Sequence, residues 1–256
     1  MRYEIEVSRY FFKISLILAI WAILMIFPFH YAFSQHQDAA DVHFTPAAVH
    51  QAGQLSSLEQ RLIEQGLINV ARFDPTIMVD LKYASEDNFM GASVYGDLTC
   101  AYLYPEPALM LILASRILRE RHPELRILVG DAVRPRSVQH KMWDLVVGTS
   151  QQHYVANPFF GSMHNYGAAV DVTLYNVETG EELDMGTSLD YFGPKAQPLL
   201  EEELLRLGKL SREQIDNRLI LREVMVEAGW HPINIEWWHF NAFYRDYIRA
   251  NYKIIE

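Results

Sequence analysis

The chain has 256 residues; half are apolar, 21% are charged, and the single cysteine is Cys100. This composition excludes a disordered tail or a disulfide-stapled miniprotein, and one cysteine excludes an internal disulfide or a multi-cysteine metal site. The 32 acidic side chains outnumber the 22 basic ones, giving a formal net charge of −10. That charge argues against sequence-independent nucleic-acid binding, which relies on cation–phosphate pairs. Because the chain has one cysteine, any metal ion must be held by histidines and carboxylates.

The N-terminal segment has the pattern of a secretory signal. Three basic side chains precede an uncharged stretch at 14–29, and the small-x-small pattern Ala32-Phe33-Ser34 follows it. The stretch is short for a membrane-spanning helix, which needs roughly 20 residues, but it suits the apolar region of a signal peptide. We therefore expect residues 1–34 to be a signal peptide and the protein to be exported, periplasmic or secreted. The alternative is an uncleaved helix at 14–29 that anchors it in the inner membrane.

After a polar, aperiodic linker at 35–55, the sequence predicts one mixed domain over 56–256. Hydrophobic periodicity and capping residues predict helices at 57–67, 107–121, 137–147, 199–207 and 211–228. Alternating apolar residues and short apolar runs predict strands at 76–83, 126–130, 168–175 and 233–240. Ser57 with Gln60 has the spacing of a capping box. Because strands and helices mix without a regular βαβ period, we expect an α+β fold rather than a doubly wound sheet.

The first unusual cluster lies where a loop leads into a predicted strand. His164 lies in a glycine-containing loop, and Asp171 follows seven residues later within an otherwise apolar strand. A carboxylate in such a strand is costly unless it is paired or bound to a metal. The two side chains could therefore converge on one ion. On these residues alone, a buried Asp171 hydrogen-bonded to a nearby histidine stays an open alternative.

The second cluster, Glu236-Trp-Trp-His239, combines a histidine with a carboxylate three residues upstream. These could supply a third metal ligand and a general base. In a regular strand the two side chains would point to opposite faces, so we expect a turn, bulge or kink if both serve one site. Taken alone, the pattern also fits a tryptophan-rich core strand whose histidine is hydrogen-bonded.

The two clusters together suggest a metal site. Two histidines and an aspartate form a three-ligand set with an open fourth position, which is typical of catalytic zinc. Arg134 follows the predicted strand 126–130 at its exit into a loop, a usual place for functional side chains. A surface salt bridge is the alternative interpretation of Arg134.

These motifs resemble a known family. The pattern Ser162-x-His164-x-x-Gly167-x-Ala169-x-Asp171, followed by Glu236-x-Trp238-His239, resembles the zinc D-alanyl-D-alanine dipeptidases of the VanX type in peptidase family M15. Stretches 81–89 and 185–190 are also similar to that branch, and the similarity extends over about 73–243. The resemblance implies a central, mainly antiparallel sheet flanked by helices, in the zinc D-Ala-D-Ala peptidase or Hedgehog-like fold.

The resemblance also implies one Zn²⁺ per chain and roles for individual residues. His164, Asp171 and His239 match the zinc ligands. Glu236 matches the general base that acts on the zinc-activated water, and Arg134 matches the arginine that stabilises the oxyanion. The implied reaction is hydrolysis of the D-Ala-D-Ala dipeptide to two D-Ala.

Three further matches concern the substrate, a small D,D-dipeptide. Ser162, Asp190 and Tyr83 match positions that bind it, with Asp190 facing its free ammonium group. The chain departs from the family at Val133, where a larger aromatic residue is usual, so we expect one wall of the pocket to differ.

Two other functions stay open from the sequence. An exported D,D-carboxypeptidase or endopeptidase acting on peptidoglycan stem peptides would share the zinc ligands, and export favours it, whereas Asp190 and the 81–89 stretch favour the dipeptidase. A noncatalytic zinc-stabilised cell-wall-binding module would usually lack the base that Glu236 matches. We expect no nucleic-acid partner, and membrane contact only through an uncleaved 14–29 segment.

Overall fold

The computed structural model describes residues 55–256. The predicted signal peptide at 1–34 and the linker at 35–55, apart from Leu55, lie outside the described residues. Within 55–256 the α-helices are α1 (Ser57–Glu64), α2 (Pro105–Arg121), α3 (Arg136–Val146), α4 (Glu201–Arg206), α5 (Arg212–Glu227) and α6 (Arg245–Asn251). The strands of this part are β1 (Ile68–Asn69), β2 (Met78–Val79), β3 (Tyr102–Leu103), β4 (Leu125–Asp131), β5 (Ala169–Asn176), β6 (Glu181–Glu182), β7 (His231–Pro232) and β8 (His239–Asn241). None of these helices is long and apolar enough to cross a membrane.

Six of the strands form one sheet in the order β2-β4-β5-β8-β7, with β6 paired to β5. Within this sheet β2 and β4 run parallel, and the other neighbouring pairs are antiparallel. Strands β1 and β3 form a separate antiparallel pair. Helix α2 packs against both β4 and α5. The predicted α+β fold with a mainly antiparallel sheet and flanking helices is therefore confirmed.

The helix starts follow from side-chain caps. At α5, Ser211 and Gln214 form a capping box in which each side chain accepts a hydrogen bond from the other's backbone N–H. At α1 the capping box is Ser56 with Glu59, so the predicted pair Ser57 with Gln60 is wrong by one residue. Two consecutive serines, each with a Glu or Gln three residues on, carry the same signal, and the spacing does not distinguish them.

Two predicted strands are much shorter than expected. The predicted strand 76–83 pairs only over β2 and then turns into a short 3-10 helix, Lys82–Ala84. The predicted strand 233–240 pairs only from His239, and the residues before it form bends. Apolar alternation in both stretches reflects burial of loop side chains such as Ile77 and Trp237 rather than ladder pairing.

The register of the central strands sets up the site. A bulge in β4 between Val129 and Asp131 brings Asp131 opposite Asp171 on β5, and Asp171 in turn lies opposite His239 on β8. Gly130 lies within the bulge, and a Cβ there would be 2.2 Å from Leu189 Cδ1. Glycine therefore lets the segment that carries Leu189 approach the sheet. Three chemically reactive side chains thus lie in one row across three neighbouring strands.

The candidate metal and catalytic site

His164 is placed by a capped turn that leads into β5. It lies in a short 3-10 helix, Met163–Tyr166, which Ser162 caps with Asn165. Gly167 ends that helix at φ +57°, and a Cβ there would lie 3.0 Å from a methyl of Leu67. Both the left-handed backbone and the close packing require glycine. The glycine of the predicted motif therefore has a conformational role between His164 and the strand that carries Asp171.

His164, Asp171 and His239 converge on one point. Nε2 of His164 lies 3.3 Å from Oδ2 of Asp171 and 3.1 Å from Nδ1 of His239, and that Nδ1 lies 2.9 Å from Asp171 Oδ1. One ligand atom from each residue lies within 4.8 Å of the others, and all three residues are buried. Two imidazole nitrogens and one carboxylate oxygen form a donor set that suits zinc or a similar divalent transition ion.

Hydrogen bonds on the outer side of each imidazole fix the tautomers. Nδ1 of His164 donates to the carbonyl of Ala132 at 2.8 Å. Nε2 of His239 lies 3.0 Å from Oδ1 of Asn241 and donates to it. The inner nitrogens, His164 Nε2 and His239 Nδ1, are therefore left with lone pairs aimed at the cluster. The residues present fit a bound metal ion.

The charges of these three side chains affect one another's ionisation. Burial opposes ionisation of Asp171, but His164 and His239 outweigh it and hold the pKa of Asp171 below its ordinary value. Burial likewise opposes the charged form of His164, but Asp171 and Asp131 outweigh it and raise the His164 pKa. The cluster therefore favours positive charge at its centre, which a divalent cation would supply.

Glu236 lies beside this cluster because the chain bends before β8. Its Oε2 is 3.9 Å from Nδ1 of His239. The turn that the sequence required for Glu236 and His239 to share a site is present at this point. Burial raises the pKa of Glu236 to about 8; His239 opposes that shift, while Asp171 and Asp190 add to it. A carboxyl group with this pKa can both take and release a proton near neutral pH.

Arg134 is buried and held on several sides. Its Nε donates to Asp131 Oδ2 at 3.0 Å, its NH2 also bonds that oxygen, and its NH1 donates to Gln139 Oε1 at 3.0 Å. The guanidinium carbon lies 5.0 Å from the centre of the Tyr83 ring. Burial disfavours the charge, but Asp131 outweighs burial and raises the pKa of Arg134. Arg134 is therefore a permanent cation in a fixed position, not a surface ion pair.

Tyr83 and Asp190 meet at another part of the site. The Tyr83 hydroxyl donates to Asp190 Oδ1 at 2.8 Å, whereas Oδ2 of Asp190 is buried and has no hydrogen-bond partner among residues 55–256. Asp190 has φ +60°, a backbone conformation that few non-glycine residues adopt. Burial, with a contribution from Asp171, raises the pKa of Asp190 to about 7, and the Tyr83 hydrogen bond opposes that shift.

The metal-capable cluster, Glu236, Arg134, Tyr83 and Asp190 line one cavity of about 290 Å³. The structure brings every predicted site residue to its wall: Tyr83, Arg134, Ser162, His164, Asp171, Asp190, Glu236 and His239. Another part of the wall is aromatic, with the Phe192 ring 4.9 Å from Phe89 and stacked 5.0 Å from Tyr154. The cavity therefore combines a metal-capable cluster, a fixed cation and an unpaired carboxylate oxygen.

The chain is similar to known proteins over most of its described residues. Residues 63–254 match the model of the Peptidase_M15 family, described as D-ala-D-ala dipeptidase. The chain belongs to this family. It is 30% identical over 181 residues to the D-alanyl-D-alanine dipeptidase of Escherichia coli K12, covering 68% of this chain and 83% of that protein. It is 24% identical over 203 residues to the enzyme of the same name from Enterococcus faecalis V583, covering 72% and 95%.

A solved structure is a more distant match to this M15 chain. The LdcB LD-carboxypeptidase, whose structure is described in terms of peptidoglycan recognition, is 18% identical with a TM-score of 0.31. The match covers 59% of this chain and 64% of that one, which is less than two thirds. A likeness at this level decides nothing about the site.

Sequence reasoning missed three residues that support the site. Asp131 and Gln139 hold Arg134, and Asn241 holds His239. Asp131 ends an apolar strand, the same signal that identified Asp171, and Asn241 lies two residues after His239 and so on the same face of β8. Val133 itself is buried in the core and is not among the residues that line the cavity, so the expected difference in the pocket wall stays a prediction.

Proposed function

We propose that this M15 peptidase is a zinc-dependent dipeptidase that hydrolyses D-Ala-D-Ala to two D-Ala. The observation that carries the proposal is the buried Oδ2 of Asp190, which lacks a partner among residues 55–256 and lies in the same cavity as the three-ligand cluster. A buried carboxylate oxygen is costly without a donor. The free ammonium group of a dipeptide would supply that donor. The names of the curated relatives support the same substrate.

His164, Asp171 and His239 would hold the zinc ion. When bound, zinc supplies Lewis acidity that lowers the pKa of a water molecule to about 7. The Ala132 carbonyl and the Asn241 amide would keep the two imidazoles in the tautomers that binding requires. The site needs no large rearrangement to bind the ion, since its donors already face one another.

Glu236 would move the proton. As general base it takes a proton from the attacking water, and as general acid it returns that proton to the amine of the departing D-Ala. In the metal-free protein burial raises its pKa, and a bound cation nearby would lower that pKa toward the range in which a carboxylate accepts a proton at neutral pH. Arg134 would stabilise the negative charge that develops on the carbonyl oxygen of the scissile peptide bond. Because Asp131 and Gln139 already orient its guanidinium, little reorganisation is needed as that charge forms.

Asp190, Tyr83 and Ser162 would orient the dipeptide. Asp190 Oδ2 would accept from the ammonium group while the Tyr83 hydroxyl keeps Oδ1 occupied. Ser162 lines the cavity next to His164 and offers its hydroxyl to the substrate backbone. A blocked or acylated N-terminus would leave Asp190 Oδ2 unpaired, so the site should discriminate strongly against longer peptides.

We also propose that the protein acts outside the cytoplasm and that its catalytic domain spans residues 56–256. The support is the signal pattern of residues 1–34 and the small-x-small pattern before Gln35. Mass spectrometry of the protein recovered from a periplasmic or extracellular fraction checks this, since a mature chain would begin at Gln35. Full-length protein retained with the membrane would point instead to the anchor at 14–29.

The test of the activity compares two substrates on the purified, zinc-loaded protein. We expect release of free D-Ala from D-Ala-D-Ala and at least 100-fold slower release from N-acetyl-D-Ala-D-Ala, on the basis that an unpaired buried charge costs several kcal/mol. Equal rates on both would indicate a carboxypeptidase. Glu236→Gln should retain zinc yet lose about 10²–10⁴ in kcat. No turnover of either substrate by the zinc-loaded parent would contradict an enzymatic function and favour the binding module.

A further inference from the structure

Two unpaired arginines line the cavity in addition to Arg134. Arg245 and Arg249 lie on α6, four residues apart and therefore on one face of the helix. Both are exposed, and neither guanidinium makes a hydrogen bond or ion pair within residues 55–256. Helix α6 packs against the 3-10 helix that carries His164. The two cations thus lie on a helix that packs against the element carrying one of the three candidate metal ligands.

The charge distribution of the cavity gives these arginines a ligand. The carboxyl groups of Asp171, Asp190 and Glu236 also line the wall and offer an incoming anion no positive partner. Arg134 is already engaged by Asp131 and Gln139. A D,D-dipeptide nevertheless brings a carboxylate into this cavity, and a guanidinium matches a carboxylate in both charge and bidentate geometry.

We propose that Arg245 and Arg249 bind the C-terminal carboxylate of the substrate. This inference rests on the proposed function and extends it to the other end of the peptide. Asp190 would select a free N-terminus and the arginine pair a free C-terminus. Together they would restrict the enzyme to dipeptides, in which the residue on each side of the scissile bond carries a free terminus.

The experiment compares D-Ala-D-Ala with its C-terminal amide, using zinc-loaded protein. The double variant Arg245→Gln/Arg249→Gln removes both guanidiniums. Its matched control is Arg61→Gln/Arg206→Gln, which removes the same charge from two exposed arginines that lie outside the cavity. For each protein, kcat and KM are measured on both substrates at low and at 0.5 M salt.

We expect the parent and the control to have a higher kcat/KM for D-Ala-D-Ala than for its C-terminal amide. In the double variant the ratio of these two values should fall about tenfold, mainly because KM for D-Ala-D-Ala rises. Tenfold lies within the range expected for two solvent-exposed ion pairs. High salt should shrink the preference of the parent toward that of the double variant. If the double variant cleaves the dipeptide with the same acid-to-amide ratio as the control, the carboxylate role is overturned while the dipeptidase activity stands. If the parent cleaves neither substrate, the proposed function fails and this inference fails with it.

Discussion

Asp131 and Asp171 lie directly opposite each other on β4 and β5, and the guanidinium of Arg134 contacts both carboxylates. Two buried anions this close together would be costly alone. Arg134 offsets the charge of Asp131, and the imidazoles of His164 and His239 face Asp171. The sheet register therefore places the fixed cation and the metal-capable cluster side by side, so that each depends on the charge of the other.

Removing the charge of Asp131 should damage both stability and catalysis. Asp131→Asn leaves the buried Arg134 without its anion, which costs about 3 kcal/mol in the free energy of unfolding. It should also lower kcat at least tenfold while zinc content stays at one per chain, because Arg134 no longer has a fixed position. Urea unfolding and steady-state kinetics measure the two effects.

The control for that variant is Glu227→Gln, which breaks the exposed ion pair with Arg121. It should change the free energy of unfolding by no more than about 1 kcal/mol. If Asp131→Asn were as stable and as active as Glu227→Gln, the positioning role of Asp131 would be contradicted.

Metal binding should stabilise the folded protein through the three-ligand cluster. Adding zinc at 100 times its dissociation constant should raise the free energy of unfolding by about 2.7 kcal/mol. Asp171→Ala should abolish that gain, whereas Asp144→Ala, which removes a carboxylate outside the cavity, should retain it. Thermal unfolding with and without zinc, together with elemental analysis, measures the effect. A zinc-dependent rise in Tm that persisted in Asp171→Ala would show that the ion binds elsewhere.

Asn241 should tune the metal affinity without being a ligand. Asn241→Ala removes the acceptor that orients His239 Nε2, and loss of such a partner typically weakens metal binding by 10- to 100-fold. Competition with a chromogenic zinc chelator gives the affinity. Asn251→Ala, at an exposed position on α6, is the comparison and should bind zinc like the parent. Equal affinities would mean that the Asn241 contact is structurally incidental.

The structure brings the predicted site residues to one cavity, whereas two predicted strands are much shorter than expected. Asp171 could be selected because a carboxylate in an apolar strand is costly, and Glu236 with His239 because of their spacing. The long-range contacts were not visible: Asp131 acts through Arg134 only once β4 and β5 are in register.

Strand lengths failed for a different physical reason. Apolar alternation reports burial, and burial does not require hydrogen bonding to a neighbouring strand. Residues 233–238 form bends instead of a paired strand although Trp237 and Trp238 are buried, and Glu236 within this irregular segment faces His239. The rule that apolar alternation predicts a paired strand therefore fails where the site needs an irregular backbone.

Arg218 should hold the segment that carries Asp190. Its buried guanidinium donates to the carbonyls of Met185 at 2.7 Å and Lys195 at 2.9 Å, and it lies 5.4 Å from the Trp237 ring. Arg218→Met should therefore lower the free energy of unfolding by about 3 kcal/mol, because the buried Met185 carbonyl and the partly buried Lys195 carbonyl lose their donor. It should also raise KM for the dipeptide several-fold more than it changes kcat.

The matched control is Arg222→Met, which removes the second arginine bound to Glu201 but touches neither carbonyl. It should cost about 1 kcal/mol and leave KM unchanged. The contrast between the two variants separates loss of the Glu201 ion pair from loosening of the Asp190 segment. Parallel effects of both variants on KM would contradict a positioning role specific to Arg218.

Asp190 should impose a pH dependence on substrate binding. Its pKa is raised to about 7, so below pH 7 the carboxyl is protonated and cannot pair with the ammonium group, which itself stays charged up to about pH 8. We expect KM for D-Ala-D-Ala to rise as the pH falls below the pKa of Asp190, and Asp190→Asn to have a high KM without that rise. Kinetics between pH 5 and 8 measure it.

The raised pKa of Asp190 also predicts how the free energy of unfolding changes with pH. The folded state of the metal-free protein holds the Asp190 proton between the ordinary pKa of 3.8 and about 7, so this group makes the free energy of unfolding fall as pH rises through that window. Asp190→Asn should remove part of the fall. Asp216→Asn, at an exposed position on α5, should reproduce the parent curve. An identical decline in the parent and in Asp190→Asn, measured by urea unfolding at pH 4.5 and 7.5, would show that Asp190 is ionised at both pH values and would remove the basis for its pH-dependent recognition of the ammonium group.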